Sequence, residues 1–178
     1  MITITTGPLK GHDRYQDIVN FVLFNSPSDE YTENLLSRLS EWNSCIAVAL
    51  DEGVIVGTSM NFEMPDDHFM VPRLTEFLAS IGLSNSNCVT PAAIFVNPAY
   101  KGQGIANKLT VAKSQWCLDI GHHTHAMAWG FGSQAIFEYN QYIGDLIDTG
   151  VDDDGGYRIS LRTLQSTIDT LSAKTPVA

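Results

Sequence analysis

The sequence predicts a mixed α/β fold, a sheet flanked by helices, and three observations carry that prediction. Strand-like and helix-like hydrophobic periods alternate along the whole chain. Two apolar runs, Cys45 to Leu50 and Val54 to Met64, flank Asp51-Glu52-Gly53, which is the pattern of a hairpin with a tight turn. Ile94, Phe95 and Val96 form a short apolar strand that leads through a glycine loop into a long helical pattern.

Taken in order, Ile2 to Thr5 alternates and is β-branched, so it reads as a first strand, broken by Gly7, Pro8 and Gly11. From His12 to Phe24, Tyr15, Ile18, Val19 and Val22 fall on one helical face. Ser26-Pro27-Ser28-Asp29 is a turn with capping residues, and Glu30 to Trp42 is a second helix with Tyr31, Leu35, Leu36 and Leu39 on one side. After the hairpin, Pro65 to Asn87 is irregular. It holds Asp66, Asp67 and His68, a short helix over Val71 to Ile81, then Gly82 and a polar run. A connection of this length is either a functional lid or an insertion that packs away from any site.

The central unit comes next. Asn97 and Pro98 end the strand, because Pro98 lacks an N–H and biases Asn97 away from helix. Beyond Gly102, Gln103 and Gly104, the residues Ile105, Leu109, Ala112, Trp116 and Ile120 recur at helical spacing, with Lys108, Lys113 and Gln115 between them. Gly121 closes this helix, and Ala126 to Phe131 is an apolar strand. Gly132-Ser133-Gln134 starts a helix carrying Ala135, Ile136, Tyr139 and Ile143, which ends near Gly144. Leu146 to Val151 and Tyr157 to Leu164 make a final hairpin around Asp152-Asp153-Asp154-Gly155-Gly156. Leu164 to Leu171 is a short terminal helix, followed by a frayed tail.

The 178 residues suffice for one domain with a sizeable core, and no apolar run approaches the roughly 18 residues that span a membrane. The start, Met1-Ile2-Thr3-Ile4-Thr5, has neither the basic nor the apolar region of a signal peptide. Cys45, Cys88 and Cys117 form an odd set without a C-x-x-C pair, which points to reduced thiols and a cytoplasmic protein. A formal net charge of −10 disfavours nucleic acid as a partner and suits a cationic substrate such as an amine, or simply solubility.

The glycine loop carries the functional signal. The first N–H groups of a helix have no intrahelical partner, the helix dipole adds positive charge there, and glycines admit a bulky anion. A diphosphate is therefore a natural guest, with Lys101 as a cation at the rim. The dinucleotide fingerprint fails because Asn107 occupies its last glycine position, and no Gly-Lys-Ser/Thr follows to make a P-loop.

The segment Lys101-Gly102-Gln103-Gly104-Ile105-Ala106 resembles the signature of GNAT-type N-acetyltransferases: Arg or Gln, two residues, Gly, one residue, then Gly or Ala. Lys101 departs mildly from it. Val96-Asn97-Pro98-Ala99-Tyr100 is similar to the family's usual lead-in. The resemblance covers almost the whole chain through the order of its elements. It implies the acyl-CoA N-acyltransferase fold, with a mixed, mostly antiparallel sheet of six to seven strands, a domain over residues 1–172 with an insertion at about 65–87, and a flexible tail over 173–178. It implies acetyl-CoA as cosubstrate and no metal. Lys101, Gly102, Gln103, Gly104, Ile105, Ala106 and Asn107 are then the diphosphate loop. Ile94, Phe95 and Val96 hold the pantetheine arm and thioester carbonyl; as side chains, the same three suit plain core packing.

Acetyl transfer to an amine needs a neutral nucleophile, a polarised carbonyl and a proton for the leaving thiolate. Deprotonating an alkylamine at pH 7 costs roughly 4–5 kcal/mol, so a base or an apolar pocket must offset it. By the resemblance, Tyr139 is the acid. Ala135-x-x-x-Tyr139 fits the family's helix, although Gly144 comes one residue late, and Tyr142, about 300° further round the helix, competes with it. The fourth strand offers no carboxylate, which leaves Glu63 as the base, with Asp66, Asp67 and His68 as substitutes.

Other patterns lead nowhere. His122, His123 and His125 lack metal-site spacing, and alternating faces separate His122 from His123. An EF-hand count from Asp148 places Ile159 at the terminal Glu position. The predicted activity is N-acetyl transfer to a small primary amine. The alternatives are a peptide or protein N-acetyltransferase and a sensor module that binds acyl-CoA without transfer. Outward parts of the last strands offer a surface for a homodimer.

Overall fold

Glu52 and Gly53 both take positive φ, 49° and 82°, and this two-residue turn fixes the hairpin of β2 (Ser44–Asp51) and β3 (Val54–Glu63). The computed structural model describes residues 1–26, 29–41, 43–63, 66, 71–130, 142, 144, 147–152 and 157–174. From the hairpin the sheet grows both ways. β1 (Ile2–Pro8) pairs antiparallel with β2, and β4 (Cys88–Val96) antiparallel with β3. β5 (Thr124–Gly130) joins β4 in parallel, and β7 (Tyr157–Thr163) lies antiparallel between β5 and β6 (Ile147–Asp152). Among the described residues, seven strands make one sheet in the order β1-β2-β3-β4-β5-β7-β6.

Both faces of the first half are covered, so Ser44 to Ala49 are all buried. On one face, α1 (Tyr15–Asn25) presents Ile18 and Val22 to Ile46, Val48, Met60 and Phe62, joined by Leu35 of α2 (Asp29–Glu41). On the other, α4 (Ile105–Asp119) lays Ile105 and Leu109 on Ala47, Ala49 and Val56. Each buried Ile, Leu, Val, Met or Phe among these contributes roughly 1.5–3 kcal/mol of burial. Gly57 lets α4 come close. A Cβ there would stand 3.0 Å from Leu109 Cδ1, 3.2 Å from the Phe95 carbonyl oxygen and 3.3 Å from Ile105 Cγ2. The helix α5 (Leu164–Lys174) packs beside α4.

Several expected boundaries move, each for a physical reason. β1 runs through Gly7 and Pro8, because it is an edge strand and Pro8 needs no partner on its open side. β4 begins at Cys88 and not at Ile94; Pro91 is accommodated beside a register skip at Ala92. Within the irregular stretch, α3 (Val71–Ser80) buries Leu74 and Leu78 against Cys88 and Leu161, so this helix is packed into the fold. Of the helix expected over 132–144 only positions 142 and 144 are described, and Tyr139 falls outside the described residues.

Candidate active site

The strand that should cradle the thioester is half-paired. β4 keeps its ladder with β3 as far as Val96, opposite Gly57. With β5 it makes only two rungs, Cys88 to Thr124 and Val89 to His125, after which β5 pairs with β7 alone. Among the described residues, no strand pairs with the second edge of β4 beyond Val89. The two strands thus diverge from a vertex, and Thr90 to Val96 are half-buried along the opening. An unpaired strand edge is a template for an extended ligand.

The opening leads to the glycine loop. Asn97 N donates to the Val56 carbonyl at 2.9 Å, and Asn97 Oδ1 accepts from Ala99 N at 3.0 Å, which turns the chain into a single helical turn at Pro98–Tyr100. The Tyr100 hydroxyl donates to Asp51 Oδ2 at 3.0 Å and so anchors the lead-in to the β2–β3 turn. The Met1 ammonium and Tyr100 both hydrogen-bond Asp51 and hold its carboxyl below the usual range, while the same bond to Asp51 raises the Tyr100 phenol. Gly102 and Gly104 then adopt left-handed φ of 78° and 70°. A Cβ at either would meet nothing within 4 Å, so the requirement for glycine is conformational. Lys108 N is the first amide to donate into α4, to the Gly104 carbonyl at 3.1 Å. The amides of Ile105, Ala106 and Asn107 precede it and lack intrahelical partners. Lys101 and Gln103 are exposed at the rim, and Ile105 is buried as an anchor.

The structure therefore brings Ile94–Val96 and Lys101–Asn107 into one continuous surface. It does not bring Glu63 there. Glu63 lies opposite Val89, five residues along β4 from Ile94, or roughly 16 Å at strand spacing. Its carboxylate accepts from Asn43 Nδ2 at 2.8 Å and faces His122 Nε2 at 3.2 Å. A base must come within hydrogen-bond reach of its proton or act through water, and from this position Glu63 has no direct reach to the Ile94–Val96 backbone. His122 is buried and its Nδ1 contacts the Ser86 carbonyl at 2.9 Å, whereas His123 is exposed. Glu63 and His122 instead border a cavity of about 180 Å³ at the C-terminal end of α4, away from the loop. Tyr142 is exposed, with its carbonyl bonded by Lys174.

Lys113 departs furthest from the helical pattern. Expected between the apolar positions of α4, it is buried, and its ammonium donates to the Met60 carbonyl at 3.3 Å. Burial lowers its pKa to about 8. The departure has a legible cause in retrospect: positions 109, 113 and 117 are one turn apart and share a face.

The family model of the acetyltransferase (GNAT) family matches residues 13–138, and the chain belongs to that family. A search of curated proteins gives no match. Solved structures are similar in fold. An acetyltransferase of the GNAT family from Staphylococcus aureus Mu50 has 15% identity and a TM-score of 0.56, covering 92% of this chain and 99% of that one. The PaiA N-acetyltransferase from Thermoplasma acidophilum, in complex with coenzyme A, has 12% identity and a TM-score of 0.54, covering 92% of this chain and 99% of that one. The CoA-dependent acyl-homoserine lactone synthase BjaI, with SAM and isopentyl-CoA, has 14% identity and a TM-score of 0.63, covering 98% and 90%. The fold is the GNAT acyl-CoA N-acyltransferase fold, and the chain is an acyltransferase by family.

Proposed function

We propose that the protein transfers an acetyl group from acetyl-CoA to the primary amine of a small molecule, by direct attack in a ternary complex. The observation that carries this is the half-paired β4 running into a loop with two left-handed glycines. The pantetheine arm lies along the open edge of β4 in place of a strand. Backbone groups of Ile94, Phe95 and Val96 orient it and polarise the thioester carbonyl. The amides of Gly102 through Asn107 receive the diphosphate, with Lys101 beside them.

The neutral amine attacks the carbonyl carbon, the C–S bond breaks, and Tyr139 supplies the proton for the leaving thiolate. Proton removal from the ammonium falls to Glu63 only through intervening water, given its distance from the cleft. The alternative, an acyl-CoA sensor without turnover, rests on the absence of a carboxylate on β4.

The test is release of free CoA thiol on mixing the protein with acetyl-CoA or longer acyl-CoAs and a panel of small amines and peptide N-termini. Turnover with a small amine is expected. Tight acetyl-CoA binding without thiol release from any acceptor would favour the sensor. In the same assay Tyr139→Phe should lower kcat by tenfold or more with KM little changed, and an unchanged kcat would remove Tyr139 as the acid.

A further inference from the structure

The cavity at the far end of α4 lies away from the glycine loop and is chemically unusual. Its walls include Cys45 from β2, Cys117 from the last turn of α4, Asn61 from β3, Trp116, Glu63 and His122. At about 180 Å³ it exceeds the space of a few waters. The two cysteines, 4% and 0% exposed, share one buried cluster with Val89 and Leu164 as well as the cavity wall. Their surroundings differ in a consistent direction. Asn61 Nδ2 donates to Cys117 Sγ at 3.5 Å, and the buried Lys113 sits one helical turn before Cys117. Cys45 Sγ lies 4.0 Å from the Lys113 carbonyl, an acceptor. Neighbouring Cys45, Asn61 and Lys113 lower the Cys117 thiol against burial and Glu63, whereas Cys117 and burial raise Cys45. Asn61 thus donates to Cys117, while the nearest acceptor to Cys45 is a backbone carbonyl. Cys88 differs: its Sγ pairs with Thr124 Oγ1 at 2.9 Å, burial raises it, and it does not line the cavity.

We propose that Cys45 and Cys117 form a peroxide-reactive dithiol that closes to a disulfide within this cavity. The Cys117 thiolate attacks one oxygen of hydrogen peroxide. The O–O bond breaks, hydroxide leaves and takes up a proton to become water, and Cys117 becomes a sulfenic acid. Cys45 sulfur then attacks Cys117 sulfur. The S–S bond forms, the S–O bond breaks, and the hydroxyl leaves as water with the Cys45 proton. Two thiols lose two electrons and peroxide gains them. The bridge would tie the start of β2 to the end of α4. This chemistry stands independently of the acyl-transfer proposal, and its readout is covalent.

The test exposes the native full chain to hydrogen peroxide, removes the excess, then unfolds and alkylates it for intact-mass and peptide analysis. A loss of two hydrogens, one peptide linking Cys45 to Cys117, and a fully alkylated Cys88 are expected. In Cys45→Ser, a dione probe should trap a sulfenic acid on Cys117; in Cys117→Ser, Cys45 should stay a free thiol over the same period. Three alkylatable thiols after exposure, or a bridge that includes Cys88, would overturn the proposal. Sulfenic acid forming as fast on Cys45 in Cys117→Ser would overturn Cys117 as the attacking sulfur.

Discussion

Lys113 is an ammonium held almost wholly out of water, and burial is the main cause of its lowered pKa. A fall from 10.5 to about 8 corresponds to about 3 kcal/mol lost by keeping the ammonium out of water. Replacing a buried charge by an apolar chain of similar length removes that cost, so Lys113→Met should be more stable than the parent at pH 7, by about 1–4 kcal/mol. The sign of its pH dependence follows from the folded pKa lying below the unfolded one. Between pH 8 and 10.5 the unfolded chain holds the proton that the folded chain has released, so the parent gains stability relative to the variant as pH rises. Paired chemical-denaturation curves at pH 7 and pH 10 should show the variant's advantage shrinking; an advantage constant with pH would mean that Lys113 is not the titrating group. Residue pattern alone misassigns Lys113, because a 3.6-residue period marks its face as mixed and cannot say which neighbour supplies a carbonyl. The pairing of Glu63 with His122 was equally illegible: it joins the end of β3 to the residue after Gly121, and only the sheet register brings them together.

At the scale of elements, the strand–loop–helix unit was legible because its signals are local. Pro98 stops the strand, two glycines take φ that other residues resist, and a helix follows. Gly104→Val should therefore leave the fold in place and abolish coenzyme binding. Its Cβ meets no atom, so the folded state loses only the cost of left-handed backbone, about 1–2 kcal/mol. A thermal-shift titration with acetyl-CoA should show a modestly lower Tm and no stabilisation by ligand; normal stabilisation would refute the diphosphate loop. Gly57 was not legible, since its role depends on α4 crossing β3 there. Gly57→Val drives a branched side chain into Leu109, Ile105 and the Phe95 carbonyl. A loss of about 1–3 kcal/mol is expected by denaturant unfolding, and a value near zero would mean α4 shifts freely. The extra length of β1 and β4 escaped prediction for one shared reason. Proline reads as a strand terminator, but Pro8 lies on an edge strand and Pro91 beside a register skip, where a missing N–H is tolerated.

For the whole molecule, fold class and the order of the described elements were readable from hydrophobic period and turn chemistry, and a mixed, mostly antiparallel sheet was implied by family resemblance, whereas the placing of β7 between β5 and β6 was not read from the sequence. The net charge of −10 acts at this scale. If the acceptor is a cation, the field raises its encounter rate, so kcat/KM should fall several-fold as added salt shortens the Debye length to about 3 Å at 1 M, with kcat little changed. A neutral or anionic acceptor would give a flat or rising profile. The sheet itself is two slabs clipped together at one corner by a pair of rungs and strapped across the back by α4 lying against α5. A wedge-shaped guest entering at the free corner displaces no interstrand bond, so the molecule accommodates a long flexible arm without first tearing any part of its own ladder.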